Sequence, residues 1–148
     1  MRASLKSNVE KYIDAQRVVI LDSMNYIKGY RYELFCLARN AMTTLCIIWC
    51  DTEKETAFEW CKNQQQNSSE NADQIEEQKV HDKSENIFPL DLFEDYASRL
   101  EIPNPAKKWD KPLFQLRENE EIPFEDIYNA IHDTGKNKPR DPVSTKPE

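Results

Sequence analysis

The chain has 148 residues, a formal net charge of −7, and 39% hydrophobic against 32% charged residues. This length suits one domain with a single core and at most a satellite segment, and the acidic balance excludes a general nucleic-acid coat, which needs a basic surface. Four cysteines in no C-x-x-C pair and two histidines in polar or near-terminal stretches exclude a zinc site and a disulfide framework, so buried, reduced thiols are expected.

The chain opens with MRASLKSNVEKY, which lacks the apolar core of a signal peptide, and no stretch reaches the ~20 apolar residues of a membrane span. An intracellular, soluble protein with no membrane partner is expected. Leu5, Val9, Tyr12 and Ile13 mark one face of a short first helix. Val18, Val19, Ile20, Leu21 and Asp22 then read as a buried parallel strand that delivers a carboxylate to the carboxyl edge of a sheet. After the loop SMNYIKG, Ile27, Tyr30, Leu34, Leu37 and Ala41 recur at helical spacing, which predicts a helix with one buried stripe. Residues 44–50, TLCIIWC, form a second strand candidate, and Thr52 with Glu55 makes a capping-box start for a helix through Trp60. Strand, helix, strand, helix, with strands apolar on both faces, predicts parallel pairing and a right-handed crossover.

Residues 62–86 are rich in Gln, Asn, Ser and Glu and nearly free of apolar side chains, too few to offset their own ordering entropy. A disordered surface insertion is expected there. Order resumes with Pro89 in the first turn of a helix that places Leu90, Phe93, Ala97 and Leu100 on one face, and Pro103 and Pro105 end it. KKWDKPLFQL leads into a short strand from Leu113 to Leu116. Phe124, Ile127, Tyr128 and Ile131 stand at helical spacing behind Pro123, with acids in the first turn where the helix dipole favours them. From Gly135 the tail has no apolar face and reads as a linker or free end.

A phosphate cradle needs backbone N–H groups converging on the anion, hence glycine-rich loops that open a helix. Gly29 and Gly135 are the only glycines, so neither G-x-x-x-x-G-K-[ST] nor G-x-G-x-x-G is available. Asp22 nevertheless has the features of a carboxylate that holds Mg²⁺ through water in phosphoryl transfer, beside the plainer reading of an acid capping the following turn. Arg31 stands near a helix N-terminus on the side of the Asp22 loop, where a guanidinium reaches phosphate oxygens bidentately; the plainer reading is a solvated charged face shared with Lys28 and Arg39. Arg99, with Lys107, Lys108 and Lys111, is either part of a solvated basic loop or of a lid whose arginine closes over a γ-phosphate. Trp49 is expected in the core, while Trp109 between Lys108 and Asp110 is open to packing or stacking.

VVILDSMNYIKGYRYELFCLAR, TTLCIIWCDT, ASRLEIPNPAKKWDKPLF and EIPFEDI together resemble the Elongator-associated P-loop ATPases, the killer-toxin-insensitivity-twelve family. LDSMNYIKGYRYEL is the most specific block, and the phosphoseryl-tRNA kinases carry a less close version of it. The resemblance implies an α/β fold, a P-loop kinase-type parallel sheet flanked by helices, that binds ATP with Mg²⁺ and assists Elongator in modifying the wobble uridine of tRNA. The implied location is the cytoplasm, with the nucleus as a second compartment. By position, Asp22 is implied as the Mg²⁺-associated Walker B carboxylate and Arg99 as a catalytic lid residue. Ser23 and Asn25 are implied to line the loop beside Asp22, and Arg31 to border the nucleotide.

A typical member has a strand and a G-x-x-x-x-G-K-[ST] loop before the block at Val18 and a helical tRNA-contacting domain after the part matched here. The resemblance therefore implies an incomplete sheet lacking the Walker A strand and loop, poorly stable and inactive alone. The expected organisation is 1–61 as the strand–helix–strand–helix part of the nucleotide-binding domain and 62–86 as the insertion. Residues 87–134 follow as lid helix, last strand and closing helix, and 135–148 as the tail. Two further readings stand beside the ATPase: a nucleotide-independent fragment that binds Elongator, and a kinase acting on aminoacyl-tRNA.

Overall fold

The strand formers that find a ladder partner are β1 (Ile47–Cys50) and β2 (Leu113–Leu116), which run parallel with Ile47 opposite Leu113 and Cys50 opposite Leu116. They are seen in a computed structural model that describes residues 2–70 and 88–132. Helices α1 (Arg2–Tyr12), α2 (Lys28–Asn40), α3 (Lys54–Glu70), α4 (Phe93–Ser98) and α5 (Phe124–His132) accompany this sheet in a mixed α/β chain. Among the described residues no helix is long and apolar enough to cross a membrane.

The expected strand over residues 18–22 does not form. The segment is irregular and open to solvent, with Val18 57% and Ile20 86% exposed. β-Branched composition suits a pleated, half-buried surface, but a strand exists only when a neighbour accepts its backbone hydrogen bonds. β1 pairs with β2, and the sheet has no third strand among the described residues.

The chain divides into two units, one of Met1–Cys50 with Glu101–Glu148 and one of Asp51–Leu100. In the first, Val9, Tyr30, Phe35, Ala38 and Ala130 supply the buried apolar side chains. Lys6 Nζ lies 3.0 Å from Glu33 Oε2 and joins α1 to α2, and the Tyr30 hydroxyl donates to the Arg2 carbonyl at 3.4 Å. Thr44 Oγ1 donates to the Ile131 carbonyl at 2.6 Å, which fixes the end of α5 near the segment that enters β1.

The second unit is organised by aromatic rings. Phe93, on the first turn of α4, meets Phe58 of α3 edge-on with centroids 5.4 Å apart, and Phe88 packs on both Phe93 and Tyr96. Lys54 pairs with Glu94 at 2.7 Å, and Gln65 Nε2 donates to the Phe88 carbonyl at 3.2 Å. Helix α3 thus runs past Trp60 to Glu70, through the first part of the stretch expected to be disordered. The rest of that insertion and the tail from Gly135 lie outside the described residues.

The cysteines are less uniformly buried than expected: Cys36, Cys46 and Cys61 are partly covered and Cys50 is exposed. Burial pushes the Cys46 thiol up and keeps it protonated where an exposed thiol has begun to ionise. Iodoacetamide at mildly alkaline pH is therefore expected to modify Cys50 well before Cys46, read by peptide mass spectrometry. Equal rates at the two sites would contradict this.

Candidate functional site

Four residues shape the loop that follows the apolar run. Asn25 takes a left-handed φ of 34°, a region asparagine tolerates better than most side chains. Its amide then folds back, with Nδ2 donating to the Leu21 carbonyl at 3.3 Å and Oδ1 accepting from Ser23 Oγ at 3.2 Å. This tight turn carries Asp22 on its outside, where the carboxylate is exposed.

Beneath the turn lies a buried ionic frame. Helix α2 buries Tyr30, Arg31, Phe35 and Ala38, so Arg31 sits on the covered face and not on the solvated one. Its Nε lies 2.8 Å from Asp110 Oδ1, with the two side chains only 3% and 2% exposed. Its other nitrogens donate to the Asn25 carbonyl and the Glu101 carbonyl, each at 2.9 Å. The second oxygen of Asp110 accepts the Asn104 N–H at 2.9 Å. A fully buried charge is tolerable when it is paired and its remaining hydrogen-bonding capacity is met, which this arrangement achieves.

Glu101 completes the frame. The residue preceding α2 is Ile27, which has no side-chain group to cap the helix. Glu101, 73 positions away, supplies the carboxylate instead and accepts the Lys28 N–H at 2.6 Å. A negative group on the first free N–H of a helix is favoured by both hydrogen bonding and the helix dipole. The Glu101 N–H in turn donates to the Tyr26 carbonyl at 2.9 Å, so the segment after α4 is tied to the chain at two points between the Asp22 turn and the first turn of α2.

An open cleft of about 430 Å³ adjoins this frame, lined by Lys28, Arg31, Glu101, Asn104, Lys107 and Trp109 among others. Trp109 meets Tyr32 edge-on at 5.4 Å, and the Lys107 ammonium lies 5.9 Å from its ring centre. Its packing role is thereby assigned to α2.

The structure gathers Asp22, Ser23 and Asn25 in one turn. Arg31 joins them through the Asn25 carbonyl; expected to reach phosphate oxygens, it lines the cleft while each of its three nitrogens donates to a protein acceptor. Arg99 belongs to the second unit, where its exposed guanidinium pairs with Asp95 one helical turn earlier at 3.0 Å. Asp110 and Glu101 escape sequence reasoning: one stands in a lysine-rich run and the other beside prolines, settings that suggest solvent.

Against a magnesium nucleotide, these residues fit the cation end. Asp22 offers an exposed carboxylate with the Ser23 hydroxyl next to it, suited to an ion that keeps most of its water. The described residues carry no glycine-rich phosphate cradle, and no group of three or more His, Cys, Asp or Glu gathers among them as a metal site. No catalytic step through the nucleotide follows from this set.

The profile of the family described as chromatin associated protein KTI12 matches residues 1–148. The KTI12 homolog of Xenopus laevis is 37% identical over 131 residues, 88% of this chain and 41% of its own length. That of Danio rerio is 30% identical over 147 residues, 99% of this chain and 47% of its own. Protein KTI12 of Saccharomyces cerevisiae is 31% identical over 139 residues, 92% of this chain and 38% of its own. The chain thus spans less than half the length of these curated relatives. The crystal structure of Chaetomium thermophilum Kti12 in complex with ADP-AlF3 matches with a TM-score of 0.70 and 32% identity, covering 88% of this chain and 65% of that one. With a profile matched along its whole length and a solved relative alike in both fold and sequence, the chain belongs to the KTI12 family.

Proposed function

We propose that the chain serves an ATP-binding accessory function for Elongator in the modification of the tRNA wobble uridine. In this reading Asp22 faces the Mg²⁺ of the nucleotide, and Ser23 and Asn25 shape the loop that presents it. The cytoplasm is the expected location, and the chromatin association in the family's description supports a nuclear share.

One observation carries the reading: an exposed carboxylate on a tight turn, backed by a buried Arg31–Asp110 pair, in a chain 32% identical to a protein solved with ADP-AlF3. Phosphoryl-transfer proteins need such a carboxylate because the transferred group is stabilised mainly by positioned charge, much of it on the metal. The test is binding of labelled ATP with excess Mg²⁺ or with chelator. Binding that needs Mg²⁺ and weakens roughly tenfold in Asp22→Ala, about 1.4 kcal/mol, is expected. Absent or mutation-insensitive binding would discard the nucleotide reading.

The missing phosphate cradle among the described residues favours a second reading, a surface that binds Elongator without nucleotide. Retention of Elongator subunits on the immobilised chain in the absence of ATP supports it, and no retention under any condition removes it.

A further inference from the structure

We propose that Asp110 and Glu101 are positioning residues for the Asp22 carboxylate, acting through Arg31 and through the N-terminus of α2. The proposal rests on the nucleotide reading above and adds to it the residues that hold the cation-facing turn in place. Neither residue adjoins Asp22 in sequence, and neither is a ligand of the nucleotide in this reading.

Between Asp22 and α2 the chain has only five residues, 23–27, and this link carries the non-glycine left-handed residue Asn25. A loop with such backbone geometry persists when its surroundings over-determine it. Three anchors do so from outside the loop. Arg31 grips the Asn25 carbonyl, the Glu101 N–H grips the Tyr26 carbonyl, and the Glu101 carboxylate grips the Lys28 N–H. Arg31 can hold its carbonyl only while its direction is set, and Asp110 sets it through the 2.8 Å contact to Nε. Asp110 is held in turn by the Asn104 N–H, so its carboxylate cannot follow Arg31 if the guanidinium swings away.

The consequence concerns the cation end of the site. A carboxylate that meets Mg²⁺ through water contributes only if it is held within a fraction of an ångström of its place. Loosening the turn spreads Asp22 over several positions and lowers its contribution without removing it. Asp110→Asn keeps the shape and one acceptor but leaves Arg31 without a counter-charge. Glu101→Ala removes the cap from a half-exposed position, with a side-chain exposure of 39%, and serves as the second variant should Asp110→Asn fail to fold.

The experiment has two arms, run on the unsubstituted chain, both variants, Asp22→Ala and the double variant Asp22→Ala/Glu101→Ala. In the first, hydrogen exchange by mass spectrometry compares the peptide over residues 22–30 with one over Ile47–Cys50. Both variants are expected to speed exchange in the former roughly tenfold, Glu101→Ala with the latter unchanged and Asp110→Asn with a smaller rise there, since loss of the buried charge also weakens the unit. In the second, the gain in ATP affinity on adding Mg²⁺ is measured. Glu101→Ala is expected to reduce that gain several-fold, and to have no further effect on it in the Asp22→Ala background, since a residue acting through Asp22 is non-additive with it.

A purely structural role would lower affinity equally in both backgrounds, and that result overturns the proposal. Unchanged exchange over 22–30 with Mg²⁺-dependent binding intact overturns the positioning role alone. Faster exchange in the variants, with no Asp22-dependent binding by the unsubstituted chain, overturns the nucleotide reading and the positioning role with it.

Discussion

Asp110→Ala is expected to destabilise the first unit by about 3–5 kcal/mol, the range seen when one partner of a buried ion pair is removed. The side chains of Arg31 and Asp110 are 3% and 2% exposed, so solvent cannot replace the missing carboxylate. Two losses coincide at this site. The guanidinium keeps its charge in a water-poor setting, and the Asn104 N–H loses its acceptor. Such a change consumes a large share of the ~5–15 kcal/mol that holds a typical domain together. Urea unfolding followed by circular dichroism measures it, and a shift below about 1 kcal/mol would show that water or a rearranged Glu101 compensates. The paired change Arg31→Met with Asp110→Leu separates charge from geometry. It removes both charges at once and is expected to cost less than the sum of the single substitutions.

That frame also marks where sequence reading reached its limit. Local periodicity carried α2, α5 and the strand from Leu113 to Leu116, because the signal for each lies within a few neighbouring residues. Asp22 stands out for the same reason, as a carboxylate after an apolar run, whereas Ser23 and Asn25 are implied only by the family resemblance, and the side-chain bonds that fold them into one turn leave no mark in the local pattern. For Arg31 the sequence leaves a solvated face and a phosphate-facing position side by side, and its burial is not visible in either. Its partner stands 79 positions away, and no local pattern distinguishes a charge on a solvated face from one that will be buried by a distant acid.

Residues 18–22 failed differently. Their composition states a preference for strand, and only the presence of a neighbouring strand turns preference into structure. The helix beyond Trp60 is the reverse case. Gln and Glu are good helix formers, and the continuation of α3 adds one long-range bond, from Gln65 to the Phe88 carbonyl, that composition does not show.

Phe93→Ala is the largest change expected in the Asp51–Leu100 unit, with a loss of about 3 kcal/mol, at the lower end of the range for truncating a buried phenylalanine. Phe93 is 9% exposed and is the one buried apolar residue among the described residues of this unit. Its ring meets Phe58 from α3 and Phe88 from the segment before α4, so truncation removes the shared centre of the cluster, costs Phe58 this edge-on contact and leaves Phe88 with Tyr96 alone. A short helix such as α4, six residues long, has little stability of its own and depends on this packing. Among its described residues the unit has few other buried groups with which to close the cavity, which keeps the effect from relaxing away. Hydrogen exchange over Phe93–Ser98 reports the change directly, as protection there is expected to fall by roughly two orders of magnitude. Glu94→Ala provides the contrast within the same helix. Its pair with Lys54 is exposed on both sides, so its loss is expected to cost under about 1 kcal/mol. If Glu94→Ala matched Phe93→Ala in effect, surface charge and not the aromatic cluster would be holding the unit together.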